Sequence, residues 1–240
     1  LSNCFWDYSK YGMLPHEWGA SDGYLARNTY AMQNPGTYNY SGWGGDVWTL
    51  DAGNDYPRLA WEGAEGTVIE GPEGDGSAES PYEINTAFDL LEMRAHSEFF
   101  DKHIRLTSDI DMSAEVTGVE EWVAAIIANH EDTFTGVFDG NGHVISNILM
   151  HSPVLLWEYG AGLFGTIGEN GVVKNLGVKN ITITGYYRRR GAIAGTLENG
   201  EIVRCYSTGT LNNPLTNHDD RTGGLVGEIR GGLIKDCYSS

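Results

Sequence analysis

Gly191-Ala-Ile-Ala-Gly195-Thr-Leu-Glu-Asn-Gly200-Glu-Ile-Val-Arg-Cys205-Tyr-Ser207 reads almost as Gly223-Gly-Leu-Val-Gly227-Glu-Ile-Arg-Gly-Gly232-Leu-Ile-Lys-Asp-Cys237-Tyr-Ser239, at an offset of 32 residues with no gap. A fixed period of roughly 20–50 residues marks an architecture of stacked repeats. Looser copies lie upstream. Ala161-Gly-Leu-Phe-Gly165 through Asn175-Leu176 is one, and Val144-Ile-Ser-Asn147-Ile148 is another. The N-terminal Leu1-Ser-Asn-Cys4-Phe5 matches Ile234-Lys-Asp-Cys237-Tyr238. One slot therefore reads Ile148, Leu176, Cys205, Cys237 and Cys4. Apolar residues and Cys alternate there, which predicts a small buried position.

Each copy holds two short apolar runs, such as Leu163–Phe164 and Val172–Val173, bounded by Gly or Asn-Gly steps. That pattern predicts short strands and tight turns. Such a pair cannot bury its own apolar face, so copies must stack. Stacking at a strand spacing of about 4.8 Å gives a parallel β-helix. Glycine is expected where corners need positive φ or close backbone approach. A leucine-rich horseshoe lacks its repeat frame here, and propeller blades need about 40–50 residues each.

Of 240 residues, 33 are Asp or Glu and 15 are Lys or Arg, a net charge of −18. Nucleic acid and anionic membranes would be repelled. The acidity suits an exported surface that attracts divalent cations, or simply a solvated face. No apolar run approaches the roughly 18 residues of a membrane-spanning helix. The chain opens inside a repeat motif, which implies a processed or excised part of a longer protein.

Three parts are expected. Residues 1–63 form a segment rich in Trp and Tyr, whose aromatics are expected to build its own core. Residues 64–81 read as an acidic Gly/Ser/Pro linker. Residues 82–240 carry the repeats and open with a short helix near 86–98, capped by Asn85 or Thr86 with Asp89 in the first turn. A helix there covers strand edges that would otherwise pair with another chain.

The pattern Gly-Gly-Leu-Val-Gly227 through Asp-Cys237-Tyr-Ser resembles the GLUG-repeat proteins, as do Pro81-Tyr-Glu-Ile84 through Asp111-Met112 and Phe134-Thr-Gly136 through Asn147. These are bacterial exported proteins that include repeat regions of IgA-cleaving metallopeptidases and surface adhesins. Cys4-Phe-Trp-Asp7 and Trp48 through Trp61 are similar to the closing unit that follows such repeats. The resemblance implies an all-β, right-handed parallel β-helix at the bacterial cell surface, and it fixes no activity.

Candidate chemistry is sparse. Asp109, Asp111, Asp139 and Asn141 offer oxygen ligands for Ca²⁺, although Asp-Gly and Asn-Gly are commonly plain turns; no other cofactor is expected. Tyr186, Tyr187, Arg188, Arg189 and Arg190 form a cationic, aromatic cluster read as a coil corner. It would bind an acidic sugar, or staple neighbouring coils through Asp219 and Asp220. The cysteines lack zinc spacing. On successive coils, Cys205 and Cys237 would sit about 5 Å apart at Cα, within disulfide range. His16-Glu17 and His130-Glu131 lack the second His of a zincin motif.

The closing motif precedes the opening one. The strand around Leu1, Cys4, Phe5 and Trp6 is thus expected to complete a coil left open around Leu233, Cys237 and Tyr238, with other copies of the chain as partners. The reading is a non-enzymatic, extracellular structural or adhesive solenoid module of a repeat protein or filament, with surface glycans as further partners. The alternative is a carbohydrate-active β-helix, either a polysaccharide lyase or a glycan-binding module.

Overall fold

The computed structural model describes residues 4–7, 24–27, 32–33, 35–38, 43, 47–63, 65–68, 73–113, 124–128, 132–212 and 221–240. The chain divides into two compact units, Leu1–Pro72 and Glu73–Ser240.

In the first unit, β1 (Cys4–Asp7) and β2 (Tyr24–Arg27) pair in parallel, with Cys4 opposite Tyr24. β3 (Trp48–Leu50) lies between antiparallel β4 (Arg58–Leu59) and β5 (Thr67–Val68). The aromatic residues do build a core. Tyr38 and Leu50 are buried, with Trp43 and Trp48 packed against them. The Tyr38–Trp43 and Trp43–Trp48 rings stack at 5.3 and 4.3 Å. The buried Tyr38 hydroxyl donates to the Met32 carbonyl at 2.7 Å, so its polar end is satisfied. Trp61 departs from this pattern at 79% exposure.

The expected linker is not free chain over its described parts. Thr67–Val68 form β5 of the first unit. In the second, the Asp75 and Gly76 amides donate to Ser80 O at 2.9 and 3.0 Å, and His103 N donates to Gly76 O at 2.9 Å. Gly76 is buried at φ +78°, and a Cβ there would lie 2.5 Å from the Tyr82 ring. Glycine here serves a tight turn and not flexibility.

Helix α1 (Ala87–Ala95) starts as the sequence implies. Asp89 N donates to Thr86 Oγ1 at 3.1 Å, and Thr86 N donates to Asp89 Oδ2 at 2.9 Å, a reciprocal capping box. Phe88, Leu90 and Met93 are buried.

The remaining strands follow in chain order: β6 (Tyr82–Ile84), β7 (His103–Leu106), β8 (Ile110–Asp111), β9 (Val137–Asp139), β10 (Val144–Ser146), β11 (Leu149–Ala161), β12 (Phe164–Ile167), β13 (Val172–Lys174), β14 (Gly177–Gly191), β15 (Ala194–Val203), β16 (Tyr206–Leu211), β17 (Arg221–Gly223), β18 (Val226–Lys235) and β19 (Tyr238–Ser239). One sheet stacks β6, β7, β9, β13, β15 and β18, with β12 also on β15. The other stacks β8, β10, β14, β16 and β19, with β11 and β17 also on β14. Every one of these pairings is parallel. The chain is a β-solenoid.

Register makes the core columnar. Ile104, Phe138, Val173, Ile202 and Ile234 lie opposite one another on successive coils. The first four are buried at 1% exposure or less. Ile110, Ile145 and Val178 form a second apolar column, which passes to the buried Ser207. Phe134, Phe138 and Phe164 meet edge-on or tilted at 5.1–6.5 Å.

Two expectations change. Leu149 lies opposite Thr182, so Ile148 falls beside Ile181 and not in the slot of Leu176, Cys205 and Cys237. The Asp139–Val144 corner is two residues longer than Lys174–Gly177 and shifts the sequence match. Several corners also use Asn where glycine was expected. Asn141, Asn147, Asn175, Asn180, Arg204 and Asp236 all take φ between 53° and 62°, a conformation Asn and Asp tolerate better than other non-glycine residues. Much of the repeated glycine answers a different need, since a Cβ on Gly195 would lie 2.4 Å from Gly160 Cα.

Phe138→Ala is expected to destabilise the solenoid by about 3–5 kcal/mol, because it opens a hole where an apolar column meets the phenylalanine cluster. Urea unfolding followed by circular dichroism measures this. A loss under about 1 kcal/mol would mean the columns are not the core.

Candidate functional site

Two chains of polar side chains climb the solenoid corners, and each begins with an aspartate. In one, Asp139 Oδ1 accepts from Asn175 Nδ2 at 2.8 Å, and Asn175 Oδ1 accepts from Arg204 Nε at 2.7 Å. In the other, Asp111 Oδ1 accepts from Asn147 Nδ2 at 2.8 Å, and Asn147 Oδ1 accepts from Asn180 Nδ2 at 2.7 Å. An amide can both accept and donate, so Asn passes the bond from coil to coil and a carboxylate ends the series. Asp139 also accepts from Asn141 N at 2.9 Å and faces Lys174 Nζ at 3.4 Å.

These bonds favour the ionised acids. Burial opposes ionisation of Asp139, but the donors from Asn175, Asn141 and Lys174 outweigh it and hold its carboxyl below the usual range. The Asn147 amide does the same for Asp111. The Val144 amide, then His143, lowers Asp109. Asp109, Asp111, Asp139 and Asn141 thus sit in intramolecular hydrogen bonds. Among the described residues, no group of three or more His, Cys, Asp or Glu is placed to hold a metal ion.

The Tyr186–Arg190 cluster is not a coil corner. It lies inside strand β14, whose alternation buries part of it. Tyr187 and Arg190 have no exposed surface, while Tyr186 is 38% exposed. Arg190 Nη2 donates to Tyr187 O at 2.6 Å. The proposed staple partners Asp219 and Asp220 lie outside the described residues. Arg189 instead donates to Glu228 Oε2 of β18 at 2.6 Å. Arg221 and Arg230 reach the same carboxylate at 3.4 and 3.3 Å, and Arg230 approaches Glu198 at 3.7 Å. Burial disfavours the charge on Glu228, but Arg230, Arg189 and Arg221 together keep its carboxyl below the usual range. Sequence reading missed this hub. The available signal was the parallel register that puts Arg189 opposite Arg221, two like charges that require a counterion.

The cysteine slot holds for Cys205 and Cys237, which are free thiols there, so the bridge that their spacing allows is not formed. Cys205 N donates to Cys237 Sγ at 3.3 Å. Burial pushes the Cys205 thiol up to about 12, which removes the reactive thiolate at neutral pH. Next to this slot the Tyr206 and Tyr238 rings stack at 5.3 Å and 8°, and Lys179 Nζ sits 5.6 Å from the Tyr206 centroid. Tyr238 and Leu233 are exposed at 60% and 44%. Cys4, Phe5 and Trp6 belong to β1, and Leu1 lies outside the described residues.

An open cleft of about 350 Å³ is lined by Ser97, Glu98, Phe100, Asp101, Lys102, Asp132, Thr133 and Thr135. Its lysine is 2.8 Å from Asp101, and none of the expected site residues lines it. No described helix is long and apolar enough to cross a membrane.

The chain is 34% identical over 159 residues to halomucin of Haloquadratum walsbyi and 35% identical over 136 residues to a candidate Gly-rich membrane protein of Evansella cellulosilytica. These matches cover 63% and 55% of the chain, but only 2% and 15% of the relatives' own length. No family model matches. Among solved structures, a candidate immunoglobulin A1 protease from Bacteroides ovatus aligns at 23% identity with a TM-score of 0.45, over 69% of this chain and 58% of that one.

Two outcomes are expected. Carboxyls lowered in the folded state stabilise it above their unfolded value near 4 and lose that contribution as pH falls through the folded values. Acid unfolding should therefore begin below about pH 4. Asp139→Ala should cost about 1–3 kcal/mol at pH 7 and flatten that acid limb, as read from urea midpoints across pH. Second, a thiol reagent at pH 7.5 (roughly the optimum window for a free thiol) should label Cys237 while leaving Cys205 unmodified until the protein unfolds; mass spectrometry locates the label, and fast labelling of native Cys205 would refute its burial.

Proposed function

We propose that this chain is a non-catalytic structural segment of an acidic bacterial or archaeal surface protein, with the solenoid acting as a stiff spacer or adhesive rod. The observation that carries this reading is where the reactive side chains go. Asp111, Asp139, Arg189 and Glu228 all spend their hydrogen-bonding capacity on neighbouring coils. A lyase site needs a base and a free cation facing a substrate. Here Arg190 of the expected cluster is buried and Arg189 is ion-paired within the solenoid.

The relatives agree with a surface location, since one is named a mucin and the other a membrane protein. A net charge of −18 keeps such a rod soluble and away from nucleic acid and anionic lipid. GLUG-type repeat character and adhesion belong to the same reading, as does placement outside the cell.

A panel of acidic polysaccharides, followed by the ultraviolet absorbance of unsaturated products, tests it. The expected outcome is no turnover by the native chain. Turnover that disappears in Arg189→Ala would overturn the structural reading in favour of a lyase.

A further inference from the structure

We infer that Asn180 is an attachment site for an N-linked glycan on the flank of the solenoid. This deepens the structural reading above and rests on the surface location it gives the chain. Asn180-Ile181-Thr182 is an Asn-X-Thr triplet, the acceptor sequence for such glycans in exported chains. A triplet alone is a short signal, so the weight falls on how the fold presents it.

The first observation is facing. Successive side chains of a strand point to opposite faces. Ile181 is the member that turns inward, with no exposed surface. Asn180 is exposed and Thr182 is half-buried, so the two residues that define the acceptor lie on the solvent side of the buried isoleucine. Both belong to β14, which carries β11 on one side and β16 on the other. Their exposure is that of a rod's side, and a further coil at either end would leave it unchanged.

The second is a bulge. Against β16, Val178 pairs with Ser207 and Ile181 with Gly209. Lys179 and Asn180 thus stand opposite Thr208 alone, and Asn180 N donates to Thr208 Oγ1 at 3.2 Å. Two residues against one is a β-bulge, a device that re-aims a side chain. Asn180 takes φ +53° there. Against β11 the register is straight, with Leu149 opposite Thr182, so Asn180 still meets Asn147.

The third is an unspent amide. Asn147 and Asn175 use both ends of their carboxamides in the ladders, and neither has Ser or Thr two places on. Asn180 ends its ladder, donating from Nδ2 to Asn147 Oδ1 at 2.7 Å. An amide nitrogen carries two hydrogens, so one remains for exchange. In the transfer, Nδ2 forms a bond to the anomeric carbon of a lipid-linked oligosaccharide phosphate. The bond from that carbon to the phosphate oxygen breaks, the lipid phosphate leaves, and the displaced Nδ2 proton passes to a base of the transferase. The product keeps one N–H for Asn147.

A secretory host that glycosylates exported proteins, expressing the full chain behind a cleavable leader, tests the site. Releasing glycans with peptide-N-glycosidase in heavy-oxygen water turns each occupied asparagine into a labelled aspartate, which peptide mass spectrometry locates. The expected result is a label at Asn180 in the secreted, folded chain. Thr182→Ala should lose that label and Thr182→Ser should keep it, both with an unchanged circular dichroism spectrum, because neither touches the ladder amide. Peptide mapping separates this site from the second triplet, Asn39-Tyr-Ser41, which lies outside the described residues. A secreted chain bare at Asn180, a label that persists in Thr182→Ala, or a glycosylated chain without the native spectrum would each overturn the inference. None of those results bears on polysaccharide turnover, so the structural reading stands or falls separately.

Discussion

The in-register parallel pairing of Val173 with Phe138 on one side and Ile202 on the other is the constraint from which the rest follows. Parallel strands fix each side chain against its counterpart one coil away. A residue that suits the column on one coil must then suit it on all. That is why the interior is a set of single-file apolar stacks and why phenylalanine, isoleucine and valine exchange within them. A slip of one residue would turn every column outward.

The same register governs the polar groups. Corners of a solenoid cannot pair their side chains within one coil, so they pair between coils. Asn147, Asn175 and Asn180 do this while also tolerating the left-handed backbone that the corners demand. One residue type thus solves a conformational problem and a hydrogen-bonding problem together. The Arg189–Glu228–Arg230 hub is the electrostatic counterpart, holding β14 and β18 coils together through a largely desolvated carboxylate. Cooperation between coils leaves little of this chemistry available to a substrate, and that links the packing to the structural function proposed.

Sequence reading reached the coils more easily than the site. The 32-residue match around Cys205 and Cys237 gave true register because both copies have the same corner lengths. The match to Ile148 failed because the Asp139–Val144 corner carries two extra residues. The Tyr186–Arg190 run looked like a loop because it is charged. It is instead a strand whose alternate residues turn inward, and two of its charges are balanced or buried by groups remote in sequence. Composition reports charge but not which face of a strand carries it.

By itself the sequence determined the repeat, the parallel β-solenoid, the capping box at Thr86 and Asp89, and the shared slot of Cys205 and Cys237, because each follows from local chemistry or from spacing along the chain. Only the tertiary structure decided that Asp111 and Asp139 head hydrogen-bonded ladders, that Glu228 gathers three arginines, and that the thiols stay separate. The ladders and the Arg189–Glu228 pair depend on which residues meet 29–39 positions apart across neighbouring coils, and that distance is set by the length of every corner between them.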